Sequence, residues 1–375
     1  MGHSESVWRR FNYVLFGLTF LLTLIGFLMI RSATQGAVDP TLISRVPDQI
    51  RFALIGSAVM LVLSFVDYRL FSGLSMWFYL VMNVLLVMVL AFGVYGDAGA
   101  RSWINIGIRI QPSEIAKVVI IITLAQFLAT RFSKMDSLFT VMASGIHVGI
   151  PAALILVQPD LGMVTVFVAI WFTMIWAAGL RLKHIAIFGL VGGLVGGVIL
   201  LQAFDIIDGP LERYQVRRIT TFLFPQAEEN QDDYYNIRQA LISVGSGGVT
   251  GKGYTVGSQN KGRFLRVRHT DFIFSVIAEE FGFVGGVAVM VLLAWMLLII
   301  LHGARTAADP FGSLICYGVA AFIFFQTVTS IGMNLALIPV TGLTLPFISS
   351  GGTSLLSSLA GIGLAQSVIA RRRRI

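Results

Sequence analysis

Apolar residues along the chain gather in long blocks separated by short polar breaks, and blocks of about 20 apolar residues have the length a bilayer demands of a helix. The pattern predicts ten transmembrane helices, near residues 12–30, 52–66, 74–95, 113–130, 139–157, 162–180, 184–204, 275–302, 311–335 and 353–370. The second is the shortest. Its apolar core, Phe52 to Val66, crosses a membrane only with tilt or local thinning of the bilayer. The first block, Tyr13 to Ile30 behind Trp8-Arg9-Arg10, superficially resembles a signal peptide, but it is long, lacks a clear small-residue cleavage site and is followed by many more spans. It is read as the first helix of the bundle.

An even number of spans puts both termini on one side, and the run Arg371 to Arg374 assigns that side to the cytoplasm by the positive-inside bias. The inner segments and tails then hold twelve basic residues (Arg9, Arg10, Arg69, Arg131, Lys134, Arg181, Lys183, Arg305 and Arg371 to Arg374). The short outer segments hold five, namely Arg31, Arg45, Arg51, Arg101 and Arg109. The outer segment 205–274 carries nine basic residues, but long loops are exempt from the charge rule. It also carries Tyr234, Tyr235, Ile237, Leu241, Ile242, Phe264 and Leu265, enough apolar surface to dock on the membrane or on the bundle. A connection this long is expected to be functional. The expected fold class is an all-α polytopic membrane protein, residues 1–375 forming one membrane domain with a large extracytoplasmic loop between helices seven and eight.

Composition agrees: 56% of the 375 residues are hydrophobic and 12% are charged, against roughly 25% charged in a soluble domain. The net charge of +8 is scattered between apolar blocks rather than gathered on one soluble face, which argues against a nucleic-acid partner. The single cysteine, Cys316, lies inside an apolar block and can form neither an intrachain disulfide nor a metal cluster.

Charge at membrane depth costs roughly 2.5–3.5 kcal/mol per group on insertion scales, so each instance needs a partner or a task. In Gln111-Pro112-Ser113-Glu114-Ile115-Ala116-Lys117, Glu114 and Lys117 share a helical face, as a structural ion pair or as a substrate contact. In Gln158-Pro159-Asp160-Leu161-Gly162, Asp160 is placed to cap helix six. The adjacent Arg217 and Arg218 suit a phosphate, or equally a lipid headgroup. Gly245 to Gly253 resembles a nucleotide-binding loop but fails the pattern, with Ser246 at the first glycine and Gly253 at the Ser/Thr position; Lys252 is a candidate point charge for an anionic group. Arg268-His269-Thr270-Asp271-Phe272 offers a carboxylate, an imidazole and a hydroxyl near several guanidinium groups, either as a helix cap or as a catalytic set.

In their order and spacing these segments resemble the SEDS family (shape, elongation, division and sporulation proteins) over nearly the whole chain. The runs that carry the resemblance are Gly99 to Trp103, Gln111 to Lys117, Gln158 to Gly162, Gly245 to Gly253, His269 to Phe274, Ala278-Glu279-Glu280, Pro339 to Gly342 and Leu345 to Ser349. The resemblance implies a ten-helix peptidoglycan glycosyltransferase that polymerises lipid II in the bacterial cytoplasmic membrane beside a class B penicillin-binding protein. It assigns the family's essential outer-loop aspartate to Asp271, and its functionally important Glu, Lys and Asp to Glu114, Lys117 and Asp160. The sequence departs from the family pattern at Arg266-Val267, Ser330 and Ser350. Gln158 to Leu161 and Gly257-Ser258-Gln259 resemble the RodA-like branch and Thr341 to Pro346 the FtsW-like one, and the elongation role of the former is favoured.

A reaction of this kind needs a base for the acceptor hydroxyl, cations for the leaving diphosphate and a groove for the polyprenyl tail. Asp271 is the expected general base, with inversion at the donor carbon. The candidate substrate-binding residues are Arg101, Lys117, Arg217, Arg218, Lys252 and His269, with Glu114 and Asp160. A divalent cation such as Mg or Mn is compatible with the reaction, although no segment has dedicated metal-ligand spacing. Membrane lipids complete the expected partners. Two rival readings, a flippase for the lipid-linked precursor and a non-catalytic scaffold for the penicillin-binding protein, use the same helices without a base at the outer mouth.

Overall fold

The computed structural model describes residues 10–36, 39–95, 101–105, 107, 109–209, 211–225, 227 and 231–372. Trp8, Arg9, Gly99, Ala100, Arg373 and Arg374 lie outside the described residues. In chain order the helices are α1 Tyr13–Thr34, α2 Pro40–Ile43, α3 Arg45–Phe65, α4 Leu70–Gly73, α5 Ser75–Phe92, α6 Pro112–Ala129, α7 Leu138–Val157 and α8 Leu161–Ala177. They continue as α9 Leu182–Ala203, α10 Arg213–Leu223, α11 Gln231–Ser246, α12 Ser258–Lys261, α13 Ile273–Thr306, α14 Pro310–Asn334 and α15 Gly352–Ala370. Each of the ten apolar blocks coincides with one long helix. Among the described residues nine helices are long and apolar enough to cross a membrane, and α8, with 17 residues, is a shorter apolar helix.

Helix ends follow local chemistry. Asn12 caps α1 by accepting from Leu15 N at 3.0 Å. Asp309 caps α14 by accepting from Gly312 N at 2.8 Å, with Pro310 in the first turn, where its missing N–H costs nothing. α3 begins at Arg45, well before the expected residue 52. Apolar counting misses its first turns because they are polar. Asp48 sits at the positive end of the helix dipole, and Gln49 is buried, donating to Ser349 O at 3.3 Å and accepting from Gly351 N at 3.2 Å. With 21 residues the helix is about 32 Å long, enough to span without thinning the bilayer.

The larger correction concerns α13, expected as a plain helix over 275–302. It runs for 34 residues but is broken at Gly282, which has φ 67° and ψ −162°. The break frees backbone groups, and the glycine-rich segment 248–253 takes them up. Lys252 N donates to Glu279 O at 3.0 Å and Gly253 N to Glu280 O at 2.9 Å. In return Phe283 N donates to Gly248 O at 2.9 Å and Val284 N to Val249 O at 3.1 Å. Irregular backbone at membrane depth survives only when such partners exist. The approach also demands glycine at 251, where φ is 80° and an added Cβ would meet Glu280 O at 2.2 Å. The segment 205–274, read from sequence as loop, thus contains α10, α11 and α12 and is bonded into the bundle.

α6, α14 and α15 form the centre: 72%, 78% and 94% of their most apolar windows are buried, against 6% for α9, which lies at the periphery. A small antiparallel sheet, β1 Val94–Tyr95, β2 Arg101–Asn105 and β3 Arg109–Ile110, joins α5 to α6. Ser102 Oγ ties it to Gln158 O at 3.0 Å. At the opposite end of the bundle, buried Tyr68 donates to Asp309 Oδ2 at 2.6 Å, and Arg10 Nη1 reaches Arg372 O at 3.4 Å. Both described chain ends therefore lie at the end of the bundle away from Asp271.

Candidate functional site

Four segments meet at the rim of the bundle. Asp160 accepts from Met163 N at 3.1 Å, capping α8 as its position in the turn suggests, and its other oxygen accepts from Gln111 Nε2 at 2.9 Å. The next turn abuts the segment after α14 so closely that a Cβ on Gly162 would stand 2.6 Å from Thr341 O. Arg218, on α10, donates from Nη1 to that same carbonyl at 3.3 Å. Gly342, at φ 75°, brings backbone against the Asp271 carboxyl, 3.9 Å from where its Cβ would stand. Asp271 is partly buried in the turn before α13 and does not cap that helix, because the cap position is Phe272 and no side chain bonds there.

The two rim carboxyls share an electrostatic environment. Burial pushes the Asp271 carboxyl up from 3.8 to about 6, against the opposing pull of a hydrogen bond with Thr270 and of the Arg218 charge. Burial likewise pushes Asp160 up to about 6; the Met163 amide, Arg218 and Gln111 resist, and Glu114 adds to the rise. A carboxyl poised near neutrality in a partly enclosed rim is suited to exchanging protons with a substrate.

Below the rim, Lys117 lies about 8 Å along α6 from Pro112. Its Nζ contacts Glu114 Oε2 at 2.6 Å and Gln326 Oε1 at 3.0 Å, and it sits 4.8 Å from the centre of the Phe322 ring. Ser357 Oγ completes the set by donating to Glu114 Oε2 at 3.1 Å. Both charged side chains are almost wholly buried. On the same or adjoining positions, the buried atoms Ser113 Oγ, Gln326 Nε2, Thr327 Oγ1 and Ser358 Oγ have no hydrogen-bond partner among the described residues. Buried polar atoms are rarely left so, and where they cluster they mark a place for water or for polar parts of a ligand.

Of the residues singled out from sequence, Asp271, Asp160 and Arg218 therefore meet at the rim, and Glu114 and Lys117 form the layer beneath. His269 is buried in the same turn as Asp271, and Arg217 is exposed on α10. Arg101 is on β2, and its side chain lies outside the described residues. Lys252 sits elsewhere. Its ammonium bonds Glu279 Oε1 at 2.8 Å, Ser246 Oγ at 2.7 Å and Ser258 Oγ at 2.8 Å, so its donors are spent on holding the glycine-rich segment to α13. Gln326 and Ser357 went unnoticed in the sequence, although a glutamine inside an apolar block is itself a signal. Among the described residues no group of three or more His, Cys, Asp or Glu side chains is arranged to hold a metal ion.

An open apolar groove of about 500 Å³ runs between α8 and α14, lined among others by Val164, Val168, Phe172, Ala321 and Phe325. Val164 is one helical turn from Asp160.

The chain is similar to known proteins along its length. The sequence profile of the cell cycle protein family FTSW_RODA_SPOVE matches residues 12–374. Stage V sporulation protein E of Bacillus subtilis (strain 168) is 36% identical over 359 residues, 94% of each chain. The peptidoglycan glycosyltransferase MrdB of Escherichia coli (strain K12) is 32% identical over 361 residues, 95% of this chain and 94% of that one. Among solved structures, a chain described under the structural coordination of polymerization and crosslinking by a peptidoglycan synthase complex superposes with a TM-score of 0.79 at 29% identity, covering 96% of this chain and 97% of that one. The Rod shape determining protein RodA of Thermus thermophilus superposes with a TM-score of 0.69, also at 29% identity, covering 97% and 98%. That profile spans nearly the whole chain, and the chain belongs to the FtsW/RodA/SpoVE family of cell cycle proteins.

Proposed function

We propose that this protein is a peptidoglycan glycosyltransferase that polymerises lipid II at the outer face of the bacterial cytoplasmic membrane, with Asp271 as general base. The observation that carries the reading is the Asp271 carboxyl itself, pushed up to about 6 at the rim of an apolar bundle and faced by Arg218. The acceptor sugar hydroxyl gives its proton to Asp271. Its oxygen attacks the anomeric carbon of the donor, the bond from that carbon to the diphosphate oxygen breaks, and the diphosphate leaves with the electron pair. Attack opposite the leaving group inverts the configuration.

Arg218, with Arg217 on the next position of α10, faces the negative charge that builds on the diphosphate. Lys117, Glu114 and the polar atoms around them form a hydrated layer below the sugar site, and Asp160 holds the start of α8 at its edge. Arg101 and His269 remain candidates for binding the sugar or peptide part of the substrate. Lys252 acts on the loop rather than on the substrate, consistent with its bond to Glu279. The groove beside Val164 and Phe325 supplies an apolar path for the polyprenyl tail, starting one turn from Asp160.

The twelve basic residues of the short segments and tails against five support cytoplasmic termini and an extracytoplasmic Asp271. The similarity to a chain of a peptidoglycan synthase complex supports a class B penicillin-binding protein as partner. Elongation is the proposed setting. The deciding experiment is polymerisation of purified lipid II by the Asp271→Asn protein. Loss of glycan product by about 10²- to 10⁴-fold, the usual contribution of a general base, supports the reading. Normal product from the folded variant removes Asp271 from the role, and intact polymer with blocked lipid translocation in vesicles favours a flippase.

A further inference from the structure

The turn that carries Asp271 is held by its backbone. Three successive carbonyls accept from the segment that closes α14 and opens α15: His269 O from Ser350 N at 2.9 Å, Thr270 O from Ser349 Oγ at 2.8 Å, and Asp271 O from Asn334 Nδ2 at 2.7 Å. Turn carbonyls at a membrane rim would ordinarily turn to water. Here each is matched to a donor from another part of the fold.

Asn334 is fully buried at the last position of α14, and all four of its hydrogen-bond positions are used. Its amide donates to Asp271 O and, at 2.7 Å, to Ser330 O one turn earlier in its own helix. Its oxygen accepts from Ser275 N at 2.9 Å and from Ser275 Oγ at 2.7 Å. Ser275 N lies in the first turn of α13 and is shared between Phe272 O, at 3.1 Å, and the Asn334 oxygen, so Asn334 adds a second acceptor, from a neighbouring helix, at the start of the element that Asp271 precedes. Ser349 is also doubly engaged, accepting from Leu345 N at 2.9 Å while donating to Thr270 O.

We propose that Asn334 and Ser349 are positioning residues for Asp271, fixing the peptide planes on both sides of its Cα so that its carboxylate is aimed at the acceptor hydroxyl. The proposal rests on the reading of Asp271 as the base. The geometry requires it to act through Asp271, because neither side chain has a donor left for a substrate. A base displaced by about 1 Å loses on the order of 100-fold in rate, so the clamp acts on turnover rather than on affinity. Thr270 on its own turn and Arg218 on α10 are the polar and charged groups that act on the carboxyl, and Arg218 is held separately, by its bond to Thr341 O.

The test uses the purified full-length protein and lipid II, measuring kcat and KM against pH for Ser349→Ala, Ser349→Thr, Asn334→Leu and Asp271→Asn, together with Ser349→Ala combined with Asp271→Asn. Ser349→Ala and Asn334→Leu are expected to lower kcat about 10- to 100-fold, with KM changed less than about threefold. A loosened turn admits water to the carboxyl, so the acid limb of the profile should move to lower pH. Ser349→Thr, which keeps the hydroxyl, should stay within about threefold of the original, and Ser349→Ala should cost nothing further once Asp271 is Asn. Wild-type kcat and pH profile in folded Ser349→Ala, or a full additional loss in the double variant, overturns the proposal even where Asp271→Asn is inactive. Ser349→Ala removes one oxygen and decides the matter if Asn334→Leu does not fold. Full activity in Asp271→Asn overturns the base reading, and the positioning role with it.

Discussion

Arg218 donates to the carbonyl of Thr341 at 3.3 Å, across 123 residues of sequence. That bond pins the amphipathic helix α10 to the segment leading into α15 and holds one guanidinium where it pulls on both Asp160 and Asp271. One cation thus lowers the pKa of two partly buried carboxyls at the rim. The pH behaviour of the protein follows from this arrangement.

A base must be ionised, so polymerisation should fall as pH drops through about 6, where the Asp271 carboxyl takes up its proton. Stability has the opposite trend. The folded-state pKa lies above the ordinary 3.8, so the stabilisation from this group is complete below about pH 4 and is lost as pH rises through 6. Asp271→Asn should therefore be inactive yet melt no lower than the parent at pH 8. Thermal unfolding in detergent at pH 5 and pH 8, beside an activity profile, checks both signs; a lower melting temperature for the variant at pH 8 contradicts the account.

Arg218→Gln removes the charge that opposes the effect of burial on Asp271. The acid limb should move above 6, and the rate at saturating substrate should also fall as the diphosphate loses a facing cation. Because the side chain also bonds Thr341, Arg218→Lys is the control: charge retained, the acid limb should stay close to its original place. An unmoved limb in Arg218→Gln means that the guanidinium does not act on the base.

Lys117 and Glu114 form a buried pair 2.6 Å apart, and removing one partner strands the other. Lys117→Met alone should destabilise by about 3–5 kcal/mol, whereas Lys117→Met with Glu114→Gln should recover most of that loss. If the pair serves only the fold, activity returns with stability. The proposed role beneath the sugar site predicts that the double variant folds and remains impaired, which a parallel measurement of melting temperature and lipid II polymerisation resolves.

The apolar blocks were legible because length and hydropathy alone decide whether a segment can cross a bilayer, and each block became one helix. The caps at Asp160 and the ion pair at Glu114 and Lys117 were legible because they are local, three residues apart. What escaped was non-local. Nothing in Glu279-Glu280-Phe281-Gly282 announces a break, since its repair comes from Gly248 to Gly253, and Lys252 reads as a free cation until Glu279 is beside it. The first turns of α3 are polar because Gln49 bonds backbone near Ser349, some 300 residues away. Asn334 went unnoticed for the same reason, and Ser349, although it ends the Leu345 to Ser349 run, shows nothing in sequence of its bond to Thr270 O.

The break in α13 should tolerate no side chain. In Gly282→Ala a Cβ would meet Gly251 N at 2.4 Å and Val249 O at 2.5 Å, at a φ that alanine resists. Folded yield should drop sharply. Lys252→Met tests the same joint more gently, since it leaves the backbone bonds in place and removes the counter-charge of fully buried Glu279, which keeps only its hydrogen bonds from Ser258 Oγ, Gln259 N and Asn260 N. A loss of about 3 kcal/mol or more is expected, with wild-type KM for lipid II in the protein that does fold. A large rise in KM without loss of stability would return Lys252 to the substrate site.

The far end of the bundle offers the converse case. Tyr68 is fully buried and donates to Asp309 Oδ2, which also accepts from Arg69 Nε at 2.9 Å, while its own N–H donates to Ser367 Oγ at 3.2 Å. This knot joins the end of α3 to the starts of α4 and α14 and to the last turn of α15, with no part near Asp271. Tyr68→Phe removes one hydrogen bond to a charged acceptor and should cost about 1.5–3 kcal/mol of stability. Asp309 keeps Arg69 and the Gly312 amide, so the carboxylate is not stranded and the loss should fall toward the lower figure. With the two ends separated by the length of the spanning helices, the lipid II polymerisation rate and its acid limb should match the parent at temperatures where the variant is folded. A shifted acid limb in Tyr68→Phe would mean that the helices transmit strain from this knot to the rim, and that the central three helices move as a unit rather than as a fixed frame.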